Sequence, residues 1–501
     1  MDSSDFSTLI GRLEREADAH PQLYLGKVAV AAAIGYLIPG LIVLAILACC
    51  FAILFALVTG ARPSFLAAVG ILVGAAALIT TIRALRVQVA VPDGLVLTHD
   101  DAPDLFRLID VISRKIVAAQ FVTVKINGDF KLGIVQVPRW GVFGGYRNHL
   151  HIGAPLLLAL SADEFCALLA HEIAHLGGGQ RQFGAWIYRL RQTWNLLSPK
   201  FSEPANLVDR AFGFYHRWHA PWFYAYSFAL ARNHEYESDR LAAGVTSVQT
   251  LGRALIKVEM ANRFLSDVYW ARFLGRVEEA PEPPYKPYSL LPRAFKILEK
   301  EPMRPQWLAE ALRRYATEND THPSLAERLA ALDVAPHVPP PATTSAALMT
   351  LGPAAQPAID HCDDVWRAQN LANWRKRHNQ IREARWKLAE YDQQGSNALA
   401  PEDLWSKTNL LLSVQREEDA IDCLQTLVAR KGAFPDAHML LAQLLLKFGE
   451  EQGLEHLVAA VQQRAELEEK ATAIGYDYLL NRGRKGEAVR FAQRIQALFE
   501  E

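Results

Sequence analysis

Two long stretches without charge limit what this chain can fold into more than any other feature. No Asp, Glu, Lys or Arg occurs from Val28 to Ala61, and after Arg62-Pro63 none occurs from Ser64 to Ile82. About 20 helical residues cross a hydrocarbon core of roughly 30 Å, so both stretches are long enough to span. The spare length of the first predicts a kinked or interfacial part around Pro39-Gly40. The alternative is a buried helical hairpin in a large soluble core. A cleavable signal peptide does not fit, because the run is too long, starts too late and is followed almost at once by a second. The link Thr59–Pro63 carries only Arg62, whereas Arg12, Arg15 and Lys27 precede the first stretch and Arg83 and Arg86 follow the second. Basic residues concentrated at the two outer ends predict that both lie in the cytosol. The chain is therefore expected to be an integral membrane protein with a cytosolic segment 1–26, a transmembrane hairpin 27–86 and cytosolic domains thereafter.

At 501 residues the chain exceeds what one hydrophobic core organises. A formal net charge of -1 leaves no global field to recruit nucleic acid, so no nucleic-acid partner is expected. The five cysteines, Cys49, Cys50, Cys166, Cys362 and Cys423, have no metal-ligand spacing and read as buried thiols of a reducing compartment. Between Val87 and Gly153, a helical stretch Ala102–Ala119 and β-rich runs such as Phe121–Ile126 predict a small sheet, with Gly144-Gly145 as a hairpin turn before Leu150-His151-Ile152. Helical periodicity dominates from Pro155 to Ala331. Residues 334–357 accumulate Pro, Ala and Thr without an apolar period, which predicts a connector, assigned to 333–358. Beyond it, Leu411–Ala420, Leu445–Leu454 and Leu479–Ala488 align at an offset of 34 residues. That is the tetratricopeptide period, so 359–501 is expected to form stacked helix pairs that bind a protein partner. An ordinary helical bundle is the alternative.

The chemistry is concentrated at His171-Glu172-Ile173-Ala174-His175. It lies in an amphipathic pattern, Ser161–Leu176, that Ser161 and Glu164 open as a capping box. Histidines at i and i+4 share one helical face and can bind one zinc ion, while the adjacent glutamate is placed to take a proton from water without being a ligand. A catalytic zinc site needs a third protein ligand. Arg181 stands where a metzincin carries its third histidine, which excludes that class. Glu203 sits in a Ser-Glu-Pro turn, but Glu235 lies on a helical pattern with Asp239 one turn on, so that one face offers a ligand and a carboxylate to orient a ligating histidine. Glu237, on another face, is the second choice as ligand.

These residues carry a resemblance. His171–His175, then Glu235-Tyr236-Glu237-Ser238-Asp239, then Thr321-His322-Pro323-Ser324 with Arg328 are similar, in that order, to the motifs of the HtpX and CAAX prenyl protease family of membrane zinc metallopeptidases. The resemblance covers roughly residues 85–332. It implies a gluzincin-type site in which His171, His175 and Glu235 bind one Zn²⁺, Glu172 is the catalytic base, Asp239 supports a ligand, and His322 and Arg328 steady substrate or the oxyanion. Asn127-Gly128-Asp129-Phe130 and the long stretch to Gly153 depart from the family's Asn-Ala-Phe strand and put the substrate-binding edge in question. His234 stands where an arginine often precedes the glutamate and reads as a surface histidine, with an additional metal-proximal group as the alternative.

The fold class expected is mainly α with a small β-sheet: a zincin-like α+β catalytic domain at 87–332 behind the transmembrane hairpin, with the helical repeat at the C-terminal end. The aromatic segment Phe212–Leu230 reads either as a membrane-facing wall of the cleft or as a core helix, with His216 and His219 as remote candidates to approach the metal. The function expected is zinc-dependent endoproteolysis of membrane or misfolded proteins, with peptide substrate, lipid bilayer and a repeat-bound protein as partners. Two alternatives stand beside it: a catalytically silent membrane-tethered scaffold, and a hydrolase of a non-peptide amide.

Overall fold

The computed structural model describes residues 3–59, 69, 76, 79, 89, 91–118, 120–139, 145–177, 182–202, 207–314, 322–341, 344–395, 398–430 and 432–499. The chain divides into two units, one of residues 1–273 and 285–368, the other of residues 274–284 and 369–501.

The first unit is built around a four-stranded mixed sheet of β1 (Leu95–Leu97), β2 (Phe121–Asn127), β3 (Leu132–Pro138) and β4 (Tyr146–Gly153), in the order β1-β2-β4-β3. Only β2 and β4 run parallel. The register aligns apolar residues across all four strands: Leu95, Ile126, Ile152 and Leu132 form one row, and Leu97, Val124, Leu150 and Ile134 the next. Because side chains alternate along a strand, those rows share one face. They form a single core with the apolar stripes of helix Pro103–Ile116 (Leu105, Ile109, Ile112) and helix Ala162–Ala174 (Phe165, Leu169, Ile173). The strands β3 and β4 pair on either side of residues 139–145 as the hairpin expectation requires, although Gly144 and Trp140–Phe143 lie outside the described residues. β1 and β3 are the two outer strands, and each leaves one side unpaired among the described residues.

A second core joins helices Ser3–Ala19, Pro21–Val58, Gln182–Ser202 and Leu207–Val245 through Ile10, Leu13, Tyr24, Val28, Trp194, Phe212, Phe223 and Phe228. Tyr24 is inserted into the last of these: its hydroxyl donates to the Tyr226 carbonyl (2.7 Å) and accepts from the Leu230 amide (2.9 Å). These are the two groups that an α-helix would otherwise bond to each other, a recognised cause of bending. The Phe212–Leu230 segment buries Phe212, Tyr215, Phe223 and Phe228 and leaves Phe214, Trp218 and Trp222 exposed. His216 stacks on Trp194, and His219 bonds the Ala31 carbonyl at 2.8 Å, so neither turns toward the metal motif as entertained.

Two further expectations change. Among the described residues no helix is long and apolar enough to cross a membrane, so the transmembrane hairpin is not found. Its second stretch falls almost wholly outside the described residues. The first lies in helix Pro21–Val58, several of whose side chains fall outside them too. The 333–358 connector is also corrected. Ala346–Leu351 is a helix whose first amide donates to the Leu160 carbonyl (2.7 Å), and Ala346, Ala347, Leu351, Ala355 and Ala358 are buried in the sheet core. Small side chains let this segment pack closely without any apolar period to announce it. Asp363 then accepts from the Tyr288 and Ser289 amides, at 2.7 and 3.1 Å, and caps helix Pro287–Leu298. No disulfide joins the described cysteines, and Cys49 is exposed rather than buried.

The second unit contains three helix pairs, whose first helices start at Pro401, Pro435 and Glu468 and whose second helices start at Glu417, Gln452 and Lys485. The repeat extends to single backbone hydrogen bonds. Arg416, Glu450 and Arg484 donate to Leu411, Leu445 and Leu479, and the residue before each donor, Gln415, Gly449 and Gly483, has positive φ. Each turn is a left-handed C-terminal cap of the kind that reverses a helix sharply.

Candidate metal centre

Helix Ala162–Ala174 is set by the Ser161/Glu164 capping box, present as expected, and by Glu164 accepting from Lys257 Nζ at 2.9 Å. Its last turn brings His171 and His175 together, with their Nε2 atoms 3.3 Å apart. Helix Leu207–Val245 crosses it and presents Glu235, whose Oε2 lies 3.6 Å from His171 Nε2 and whose Oε1 lies 3.6 Å from His175 Nε2. These three are the one group among the described residues arranged to hold a metal ion. Tetrahedral zinc, with bonds of about 2.0–2.2 Å, separates neighbouring donors by about 3.3–3.6 Å. Glu235 approaches the two nitrogens through different oxygens, and with one ligand atom taken from each residue the three lie within 4.8 Å of one another, close enough to converge on one ion. Neither oxygen of Glu235, although fully buried, has a hydrogen bond of good geometry, as expected of a ligand.

The groups behind the triangle fix its tautomers. Asp239, one turn after Glu235, lies 2.9 Å from His171 Nδ1, so that nitrogen carries the proton and Nε2 presents its lone pair. Arg328 in turn donates to Asp239 through Nε (2.8 Å) and Nη2 (2.5 Å). Arg328 is positioned by a second capping box, Ser324/Glu327, at the start of helix Leu325–Ala331, with Glu327 also held by Arg232 at 2.6 Å. Among the described residues His175 meets a carboxylate only through Nε2, at Glu235. Its Nδ1 faces Ser238 Oγ at 3.4 Å, and its ring stacks on Tyr188 at 5.4 Å with 8° between planes.

Electrostatics agree with a cation site. Burial and the neighbouring His171 push His175 down to about 3. Burial and Arg328 also oppose charge on His171, but Asp239 and Glu235 outweigh them and raise it to about 9. Burial raises Glu235 too, yet the His171 and His322 contacts hold it well below the carboxylate range. The triangle thus keeps one carboxylate ionised against two imidazoles that cannot both be charged, the state a divalent cation would replace.

The expected site residues converge here. Glu172 shares a cleft of about 330 Å³ with His171, His322 and Arg328, and burial raises its carboxyl above the usual range, with His171 opposing. His322 Nδ1 lies 3.0 Å from Glu235 Oε2. Glu237 is not part of the group, and Glu203 and Arg181 lie outside the described residues. His234 corrects the surface reading. It is 4% exposed, and its ring centre lies 5.1 Å from that of His175. Tyr188 escaped sequence reasoning because its helix is joined to the motif only by the fold.

Residues 142–335, which include every residue of the site, match the family model described as Peptidase family M48. The chain carries an M48 peptidase domain. No curated protein and no solved structure matches the chain. M48 peptidases are zinc-dependent, and the M48 match agrees with the resemblance to the HtpX and CAAX protease type. The matched segment begins after the uncharged stretches and ends before the helix pairs.

Proposed function

We propose that this metallopeptidase is a membrane-anchored zinc endopeptidase that cuts membrane or misfolded proteins. The observation that carries the reading is the convergence of the His171, His175 and Glu235 donor atoms within 4.8 Å of one another beside Glu172, in a cleft lined in part by Leu132 of β3. An extended substrate would pair along β3, where main-chain hydrogen bonds give affinity with little demand on sequence. Bound at the triangle, zinc would polarise the scissile carbonyl and acidify the attacking water. Glu172 accepts the water's proton at its carboxylate and passes it to the leaving amine, a role its raised pKa suits. His322, beside the triangle with a side chain 61% exposed, donates to the oxyanion. Arg328, which donates twice to Asp239 and whose Nη2 also lies 3.3 Å from His171 Nδ1, acts as a positioning residue for His171.

Anchoring is supported by helix Pro21–Val58, uncharged beyond Lys27, on which Leu41, Leu44, Phe51, Phe55 and Val58 all stand at least half exposed. Apolar side chains exposed along so much of one helix are what lipid would cover. The flanking basic residues favour a cytosolic catalytic domain. The helix pairs form a tetratricopeptide-like surface for a protein partner, which would bring substrates to the cleft.

The test is cleavage of unfolded casein by the detergent-purified chain, with and without a chelator. Glu172→Gln is expected to lower kcat/KM by at least about a hundredfold while zinc content stays at one per chain. Chelator-insensitive cleavage would overturn the reading. A Glu172→Gln chain that kept its full biological effect would favour the silent scaffold instead.

A further inference from the structure

A groove of about 640 Å³ runs between helix Pro21–Val58 and helix Leu207–Val245, and none of its lining residues belongs to the metal centre. The two helices are tied at three levels. Tyr24 bridges Tyr226 and Leu230, His219 Nε2 bonds the Ala31 carbonyl at 2.8 Å, and the Tyr215 hydroxyl donates to the Ile34 carbonyl. They therefore run antiparallel, and the groove is preformed. Gly35 comes so close to His219 that a Cβ there would sit 3.0 Å from the ring. Polar groups gather at one end, where Gln22 and Lys27 stand near Tyr226; beyond them the walls are Val30, Ile34, Trp218 and Trp222, over a His219 already bonded to Ala31. Lys27 bonds Glu16, but an ammonium has three donors and this side chain is 38% exposed. It is also the last charge before the uncharged run that starts at Val28. The apolar end leads along the same helix to Leu37, Leu41 and Leu44, each more than half exposed.

We propose that this groove binds one glycerophospholipid, with its phosphate on Lys27 and one acyl tail laid along Val30, Ile34, Trp218 and Trp222. The site rests on the membrane-anchored reading above. From Gln22 to Ile34 is about 18 Å of helix, and one tail crosses about 15 Å, half of a hydrocarbon core of roughly 30 Å. Trp218 and Trp222 are both partly exposed, and amphipathic rings of this kind settle at the headgroup level. The occupant must be apolar along its length and anionic at the end beside Lys27, which describes a phospholipid and excludes a polar peptide. A free phosphate would have only Lys27 and Gln22 to hold it. Trp222 and Tyr226 stand on the helix that carries Glu235, so a bound lipid packs against the element that supplies a metal donor.

The test uses the full-length chain in mild detergent, with dioleoyl-phosphatidylglycerol as the probe and native mass spectrometry to count bound lipids. One lipid is expected to stay bound at collision energies that strip the others. Gly26→Trp fills the groove, since a Cβ at Gly26 meets nothing within 4 Å, and is expected to weaken that lipid about tenfold or more. Lys27→Gln is expected to weaken it about fivefold while leaving diacylglycerol, which lacks the phosphate, unchanged. Glycerophosphoglycerol, the headgroup alone, is expected not to bind, and binding as tight as the whole lipid would overturn the tail site. Photoreactive benzoylphenylalanine in place of Val30 identifies the occupant in native membranes. A crosslink to lipid supports the proposal. A crosslink to residues 60–90 of the same chain or to a second copy overturns it, as does a lipid affinity that neither variant moves. A chain that carbonate extracts from the membrane, yet that crosslinks lipid at position 30, would overturn the anchor and leave the groove standing.

Discussion

Asp239 is the residue on which the metal site turns. It lies 2.9 Å from His171 Nδ1 and is the common acceptor of two Arg328 nitrogens, while being almost fully buried. Asp239→Asn keeps the shape but removes the charge that holds His171 in the ligating tautomer, and it leaves the buried Arg328 without its counter-charge. Zinc affinity measured by competition with a fluorescent chelator is expected to fall about 10- to 100-fold. An unchanged affinity would mean that Asp239 serves packing alone. The cluster of His171, His175 and Glu235, with Asp239 beside it, was readable from the sequence because an i to i+4 spacing fixes a helical face before any fold is known. His234 was misread because a polar residue next to a charged turn has no local mark of burial, which here comes from the helix carrying Tyr188.

At the scale of elements, the helical repeat was legible because its turns recur in backbone conformation as well as composition. Gly449 and Gly483 take the left-handed φ at two turns, and Gln415 takes it at the third. A side chain in that region costs about 1–2 kcal/mol, partly offset in glycine by its greater freedom when unfolded. Gln415→Gly is therefore expected to stabilise the first pair by about 0.5–1 kcal/mol. Hydrogen exchange in the full chain would show this as slower exchange of the amides at 416–428, and faster exchange would contradict it. The 333–358 segment failed as a connector for the opposite reason. Ala346, Ala347, Ala355 and Ala358 bury little area each, so no hydrophobic period rises above their composition, yet their size is what lets the segment lie against the sheet core. The mixed sheet was visible in outline from its β-branched runs. Its strand order, with β3 outermost, depends on long-range pairing that no local pattern encodes.

For the molecule as a whole, the strongest sequence feature and the metal site bear on each other through one helix. Helix Pro21–Val58 carries Tyr24, which bonds within helix Leu207–Val245 at Tyr226 and Leu230, one turn before the Glu235 ligand. The same helix carries the exposed apolar run that ends at Val58. If that run is the membrane anchor, two buried charges within it should release the chain while leaving the Tyr24 contact untouched. Lysine near the centre of a membrane helix costs about 2.5–3.5 kcal/mol, so Leu44→Lys with Leu47→Lys would oppose insertion by about 5–7 kcal/mol. The native chain is expected in the membrane pellet after carbonate extraction, and the double variant in the supernatant with zinc still bound. A native chain extracted by carbonate would refute the anchor. A double variant that left the membrane and lost its zinc would show instead that the Tyr24 bridge ties the seating of this helix to the geometry of Glu235.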